Sequence, residues 1–288
     1  MNKFKDNFEI NNAGNSYKVP QIKTKESIWE ELSIKLQTSS KETKHIVYFA
    51  NGILRKALAV AASVALLMGL YFTSLYYKEI KFTTIKGQQT SIVLPDGTKV
   101  QVNTDTKISY LPWQWLQNRK VILEGEAFFN VTKGNRFEVS TNGGSVAVLG
   151  TSFNVYSRNG DFRVSCFTGR VAVNFAFTSV CHILTKGQET MSYQGKIIDC
   201  PLVFNPLKTA SWRIGQFFFT NEQLAKVFEE LGRQFNVNIK TCDINKRFYT
   251  GFFSNKSLKE ALELVCIPMG LTYGINNNND VLITQSTN

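Results

Sequence analysis

Residues 146–156 read VAVLGTSFNVY, and the step Gly150-Thr151-Ser152-Phe153 inside that run decides how the chain folds. A glycine followed by two hydroxyl residues is either the seat of a nucleophile or a junction between strands. Position 154 is Asn, so there is no G-x-S-x-G elbow, and neither His45 nor His182 is close in sequence. The run therefore reads as a glycine-hinged junction leading into a half-buried strand through Phe153 and Val155.

The surrounding sequence has the same character. TTIKGQQTSIVLPDGTKVQVN (83–103) alternates apolar and polar residues on both sides of Pro95-Asp96-Gly97, a hairpin signal because glycine supplies the positive φ of the turn. KVILEGEAFFNVTK, RFEVSTNGGSVAVLG, TSFNVYSRNGDFRVSCFTG and RVAVNF follow, each bounded by Gly or Asn-Gly turns. The spacing predicts an all-β domain over 83–205, of roll, solenoid or sandwich type.

From residue 211 strand and helix patterns alternate. IGQFFFTN leads into a helix through EQLAKVFEELGRQF with Leu224, Val227, Phe228, Leu231 and Phe235 on one face, and Thr220 with Gln223 fits a capping box. FFSNKSLKEALELV then repeats FFTNEQLAKVFEEL 34 positions later, pairing Phe219 with Phe253 and Leu224 with Leu258. LTYGI, an NNNND turn and VLITQ close the chain. Two copies are too few for a solenoid, so 211–288 is expected to be a small α+β domain of two β-α-β units.

Upstream, residues 57–77 (ALAVAASVALLMGLYFTSLYY) carry no charge. At ~1.5 Å per residue they cross the ~30 Å hydrocarbon core of a bilayer. A cleaved signal peptide has a shorter apolar core behind a short basic start, whereas 56 residues precede this one. Lys41, Lys44, Arg55 and Lys56 on one side slightly outnumber Lys78, Lys81 and Lys86 on the other, which places the N-terminus in the cytoplasm. The tail of residues 1–56 begins with a polar, Asn-rich and flexible stretch. After Pro20 it contains a predicted amphipathic helix, 26–37, with Ile28, Trp29, Leu32 and Leu36 on one stripe. That stripe is a candidate docking surface for a partner protein, the alternative being a helix lying on the membrane surface. The fold class expected is thus a single-pass membrane protein with a short helical cytoplasmic tail, an all-β periplasmic domain and a small α+β domain.

Composition narrows the function. The net charge of +11 is spread along the chain, with ten of 33 basic and six of 22 acidic residues in 1–56, so no dense basic block points to direct nucleic-acid binding. Cys166, Cys181, Cys200, Cys242 and Cys266 form no C-x-x-C pair, which leaves no zinc or haem spacing and no metal or cofactor expectation. Free thiols are favoured, with one Cys181–Cys200 bridge open in an oxidising compartment. Glu124 and Glu126, at i and i+2, are the one carboxylate pair a glycosidase could use, but no third polar group is placed with them. Trp113 and Trp115 in LPWQWLQ could stack on sugar rings, the basis of an alternative reading as a membrane-tethered glycan-binding or scaffold protein.

LPDGTKVQVN, LEGEAFFNVTK, FEVST, VAVLGTSFNVYS and FTGRVAV occur in the order seen in the extracytoplasmic domain of FecR-type anti-sigma factors, the iron-dicitrate regulator family, and the chain resembles that family over about 85–175. The C-terminal part, about 212–286, is similar to the short secretin and TonB N-terminal type of domain. The resemblance implies a non-enzymatic inner-membrane signal transducer. Its cytoplasmic tail would hold an extracytoplasmic-function sigma factor, and its periplasmic part would meet the signalling domain of a TonB-dependent outer-membrane receptor. It also implies, for some members, self-cleavage at a Gly-Thr bond of the Gly150-Thr151 kind. The tail is shorter than the sigma-binding domain of longer relatives, which leaves inhibition and positive modulation both open.

Overall fold

A computed structural model describes residues 24–76, 78–244, 246–276 and 280–286, with backbone alone at 37–51, 75–76 and 199–200. The polar stretch 1–20, the middle of the NNNND turn and the side chain of Cys200 lie outside the described residues. The chain divides into two units, Met1–Tyr71 and Phe72–Asn288.

A single helix, α1 (Lys25–Tyr76), replaces the two separate helices predicted for 26–37 and 57–77. No proline occurs between Pro20 and Pro95, so none interrupts it. Glu26 sits in its first turn, where a carboxylate favours the helix dipole. Within α1, Gly52–Ser74 is long and apolar enough to cross a membrane, and none of it is buried. Its start lies five residues before the charge-free run, because the apolar stretch Gly52–Leu54 precedes Arg55 and Lys56.

The second unit opens with thirteen strands in one connected sheet. In chain order they are β1 (Ile80–Thr84), β2 (Thr90–Val93), β3 (Lys99–Val102), β4 (Thr106–Tyr110), β5 (Arg119–Asn130), β6 (Phe137–Ser140) and β7 (Gly144–Val148). There follow β8 (Ser152–Arg158), β9 (Asp161–Cys166), β10 (Arg170–Phe175), β11 (Cys181–Thr185), β12 (Gln188–Tyr193) and β13 (Lys196–Val203). The hairpins expected at Pro95-Asp96-Gly97, Asn142-Gly143 and Asn159-Gly160 join β2–β3, β6–β7 and β8–β9.

The twelve-residue strand β5 organises the whole. Its first half pairs antiparallel with β4, ending at Lys107↔Glu124, and parallel with β6. Its second half pairs antiparallel with β8, starting at Gly125↔Ser157, and with β3. Val121, Leu123, Ala127 and Phe129 project at period two into a core with Phe137, Phe153, Phe162 and Val164. Phe129 stacks on Phe153 at 5.2 Å and 14° between planes. The β5–β6 parallel pair and the two roles of β5 are long-range features that no local pattern announces.

The C-terminal elements are β14 (Gln216–Gln223), α2 (Leu224–Phe235), β15 (Asn238–Thr241), β16 (Phe248–Ser254), α3 (Leu258–Cys266), β17 (Leu271–Ile275) and β18 (Asp280–Gln285). α2 and α3 begin 34 residues apart, matching the repeat. Strand-helix-strand thus occurs twice, but the strands within each repeat do not pair. β14 pairs with β16, while β15 and β17 flank β18, parallel and antiparallel respectively. The capping box expected at Thr220–Gln223 does not form. β14 runs on to Gln223, opposite Phe248, and the Leu224 N–H donates to the Arg247 carbonyl at 2.8 Å, so Thr220 and Gln223 lie in the strand and the helix starts too late for Thr220 to cap it. α3 is capped, by Ser257 accepting from the Glu260 N–H. Phe217, Trp212, Leu224, Leu231, Phe253, Leu262 and Ile283 form a second core, which Phe128 of β5 also enters.

Candidate functional site

Gly150 and Thr151 lie between β7 and β8, the strand junction expected. A Cβ at Gly150 would stand 2.9 Å from the Cα of Lys133, so close backbone approach requires the glycine. Thr151 is buried, its Oγ1 donates to the Arg170 carbonyl at 3.0 Å, and its own carbonyl accepts from the Val131 N–H. Ile28, Trp29, Leu32 and Leu36 are all solvent-exposed on α1, 47 to 61 %, which leaves their stripe available to a partner.

The tryptophan pair does not form a stacking platform. Trp115 is buried, edge-on to Tyr110 at 5.0 Å and to Phe137 at 6.1 Å, because the turn at Pro112–Gln114 folds it back into the core. Glu124 and Glu126 also part company. Glu124 is exposed and paired with Lys107 at 3.3 Å, whereas Glu126 lies under the C-terminal elements. Cys166, Cys181, Cys242 and Cys266 are free thiols, and burial pushes Cys166 and Cys266 up to about 11. Among the described residues no group of three His, Cys, Asp or Glu side chains could hold a metal ion.

The structure draws together a different set of residues, in a seam between the β5–β8 region and α2. Glu126 accepts from the Asn103 amide at 2.8 Å and from the Asn154 amide at 2.9 Å. The Asn154 Oδ1 accepts from the indole N–H of Trp212 at 3.2 Å. Asn103 Oδ1 accepts from Gln89 and from Gln234. Gln234 donates in turn to Glu230 at 2.7 Å, and Arg233 donates twice to the other Glu230 oxygen, at 3.1 and 2.8 Å. Arg158 caps the Thr104 and Asp105 carbonyls at 2.6 Å each. Apolar and cation–π contacts flank the polar chain: the Arg213 guanidinium lies 3.8 Å over the Phe128 ring, and Phe128 meets Phe167 edge-on. At the rim Lys226 pairs with Asp161, and Asn159 donates to Glu229.

The electrostatics of the seam are asymmetric. Burial and then the neighbouring Glu230 charge push the Glu126 carboxyl above the ordinary carboxylate range. Burial also opposes charge on Glu230, but Arg233 and Arg158 outweigh it and hold that carboxyl below its ordinary value. Such a network favours one arrangement, and truncating Asn154 takes a donor from Glu126 and the acceptor from the Trp212 indole. Beside it opens a cleft of about 340 Å³ lined by Asp105, Glu124, Arg158, Asp161 and Arg233. The arrangement links the two cores through polar contacts, and among its described residues there is no paired nucleophile and base.

One signal of this seam was present in the sequence. Glu230 and Gln234 stand three and seven residues after Val227, on the border of the apolar stripe of α2, where a helix packed on a second surface buries polar groups. Asn154 lies between the buried Phe153 and Val155. Nothing local links these positions to Glu126.

Comparison with known proteins agrees with this architecture. The family model described as "FecR protein" matches residues 80–172, from β1 into β10. That described as "FecR, C-terminal" matches 216–283, from β14 into β18. The chain is a FecR-family protein. Two crystal structures from Parabacteroides distasonis ATCC 8503, each provisionally described as of an anti-sigma factor, are similar to it. One is 26 % identical with a TM-score of 0.67, covering 73 % of this chain and all of its own. The other is 27 % identical with a TM-score of 0.66, covering 72 % of this chain and all of its own. No curated protein matches. FecR-family domains are regulatory modules, which fits a seam without catalytic machinery and one helix able to anchor the chain in a membrane.

Proposed function

We propose that this FecR-family chain is an inner-membrane anti-sigma factor and signal transducer with its N-terminus in the cytoplasm and its C-terminus in the periplasm. The observation that carries this reading is one apolar span between an exposed amphipathic stripe and two FecR matches. Ile28, Trp29, Leu32 and Leu36 bind an extracytoplasmic-function sigma factor. The regions 83–205 and 211–288 act as periplasmic domains. The second, with its secretin/TonB-like character, receives the signalling domain of a TonB-dependent outer-membrane receptor. The seam then gives the physical route, since a partner that pulls on β14 or α2 loads the hydrogen bonds around Glu126 and the packing of Phe128.

In the full chain, Trp29→Ala with Leu32→Ala weakens capture of the cognate sigma factor about thirtyfold or more, roughly 2 kcal/mol for loss of large apolar anchors. Co-purification from cells expressing each sigma factor measures it. Equal capture by wild type and variant, or capture of none by either, sinks the output arm.

Self-cleavage at Gly150-Thr151 belongs to the same reading. Thr151 Oγ attacks the Gly150 carbonyl carbon, the peptide nitrogen leaves carrying a proton, and water hydrolyses the resulting ester to a Gly150 carboxylate and the free Thr151 hydroxyl and amine. Support comes from the buried hydroxyl already donating to the Arg170 carbonyl beside it. Wild type then gives two fragments on a denaturing gel and Thr151→Ala gives one full-length band. A single full-length band from both removes the reaction.

A further inference from the structure

The loop between β4 and β5 stands out for where it lies. Leu116 is 93 % exposed, and Trp113 is partly exposed beside it. A single exposed leucine is ordinary. This one, however, is presented by a rigid turn. The Gln114 N–H donates to the Leu111 carbonyl, the Gln117 and Asn118 N–H groups both donate to the Gln114 carbonyl, and Trp115 is fixed in the core between Tyr110 and Phe137. The loop cannot collapse to hide Leu116 without withdrawing Trp115.

Chain connectivity limits how far the loop can lie from the end of the apolar span. Five residues, 75 to 79, separate the end of the apolar span at Ser74 from Ile80, so Ile80 lies within at most about 21 Å of it. Ile80 is paired directly with Tyr110, the residue before the loop begins. Charge at the loop favours a phosphate surface. Lys120 and Arg136 share one carboxylate, Glu138, at 3.3 and 2.9 Å, leaving one positive charge in excess, while Lys81 is paired with Glu79. An aromatic residue, an aliphatic residue and unbalanced basic groups are the composition that membrane–water interfaces select.

We propose that the loop Leu111–Asn118 docks on the phospholipid surface in which this chain's own span sits, with Leu116 entering the acyl boundary and Trp113 at the headgroup level. Docking would fix the edge of the β-sheet next to the membrane, so that movement at the C-terminal elements acts against a held base. The inference rests on the membrane-anchored reading of Gly52–Ser74.

The test uses the full chain in nanodiscs of phosphatidylcholine and phosphatidylglycerol doped with a phosphatidylcholine carrying a diazirine in its acyl chain. After illumination, peptides are mapped by mass spectrometry. Wild type is expected to carry lipid adducts on the α1 span and on the peptide containing 111–118, and Leu116→Asp to lose the second set while keeping the first. Because Leu116 makes almost no contact with the fold, the variant retains the wild-type unfolding temperature. Adducts on the span alone in wild type, or unchanged loop adducts in Leu116→Asp, overturn the inference while leaving the membrane anchor intact. Absence of span adducts overturns the anchor itself, and the inference with it.

Discussion

Replacing Arg233 with methionine lowers the stability of unit Phe72–Asn288 by about 3–5 kcal/mol, the usual cost of stripping one partner from a buried ion pair. Arg233 and Glu230 are each 8 % exposed, and two of the guanidinium N–H groups go to one Glu230 oxygen. Methionine keeps much of the aliphatic volume but leaves the buried Glu230 carboxylate, whose charge also acts on Glu126, with only Arg158 and Gln234 to offset it. Thermal unfolding of the detergent-solubilised chain measures the loss as a fall of roughly 10 °C, taking about 2–4 °C per kcal/mol for a unit of this size. A fall below about 1 °C would show that the pair does not stabilise the seam. The pH profile separates the two carboxylates. Glu126 has its folded pKa raised, so the folded chain keeps a proton that the unfolded chain has released, and stability declines as pH rises from the ordinary carboxylate range through the folded value. Glu230 has its folded pKa lowered, so its contribution is present above the ordinary carboxylate range and is lost as pH falls through the folded value. Glu126→Gln therefore removes the decline on the neutral side and leaves the acid loss in place. Identical profiles for wild type and Glu126→Gln would contradict this assignment.

Local chemistry explains why some of this was legible in the sequence and some was not. Turns at Gly97, Asn159-Gly160 and Asn142-Gly143 could be read directly, because each is decided by two or three adjacent residues. The 34-residue offset between α2 and α3 was legible for the same reason, since equal apolar stripes recur at equal spacing. The parallel pairing of β5 with β6 is set by how two sheets share one strand, which leaves no local trace. The cap at Thr220 does not form because pairing with β16 keeps the chain extended through Gln223, a tertiary effect that overrides a local motif. Which tryptophan of LPWQWLQ is buried cannot be read locally, because the pattern does not reveal that a turn at Pro112 returns Trp115 to the core. The seam needs contacts across more than 100 residues, Asn103 to Gln234 and Gln89 to Trp212, and only the polar interruptions of otherwise apolar faces hinted at it.

Gly125→Ala is expected to cost about 4 kcal/mol, from overpacking of roughly 1–3 kcal/mol together with a similar cost for a conformation almost confined to glycine. Gly125 has φ +122, and a Cβ there would stand 2.5 Å from the Thr106 Oγ1 and 2.8 Å from its Cα and Cβ. The contact cannot be relieved by rotating a side chain, since backbone is among the atoms struck. Thr106 is also held in place: its Oγ1 accepts from the Glu126 N–H at 3.1 Å and from Arg158 at 3.2 Å. This is the point where β5 leaves β4 and joins β8, so displacing it shifts Glu126 and Phe128, which seat the C-terminal elements. Gly160→Ala supplies the comparison. Its φ is +81 and nothing lies within 4 Å of the added carbon, so only the left-handed conformation is penalised, at about 1–2 kcal/mol. Unfolding of both variants under the same conditions should show the larger fall for Gly125→Ala, accompanied by protease cleavage between Phe204 and Gln216 as the seam loosens. Equal falls for the two would mean that β5 crosses between its partners without needing the contact at Thr106. The strand that carries Glu126 would then be positioned by the seam, and not the seam by the strand.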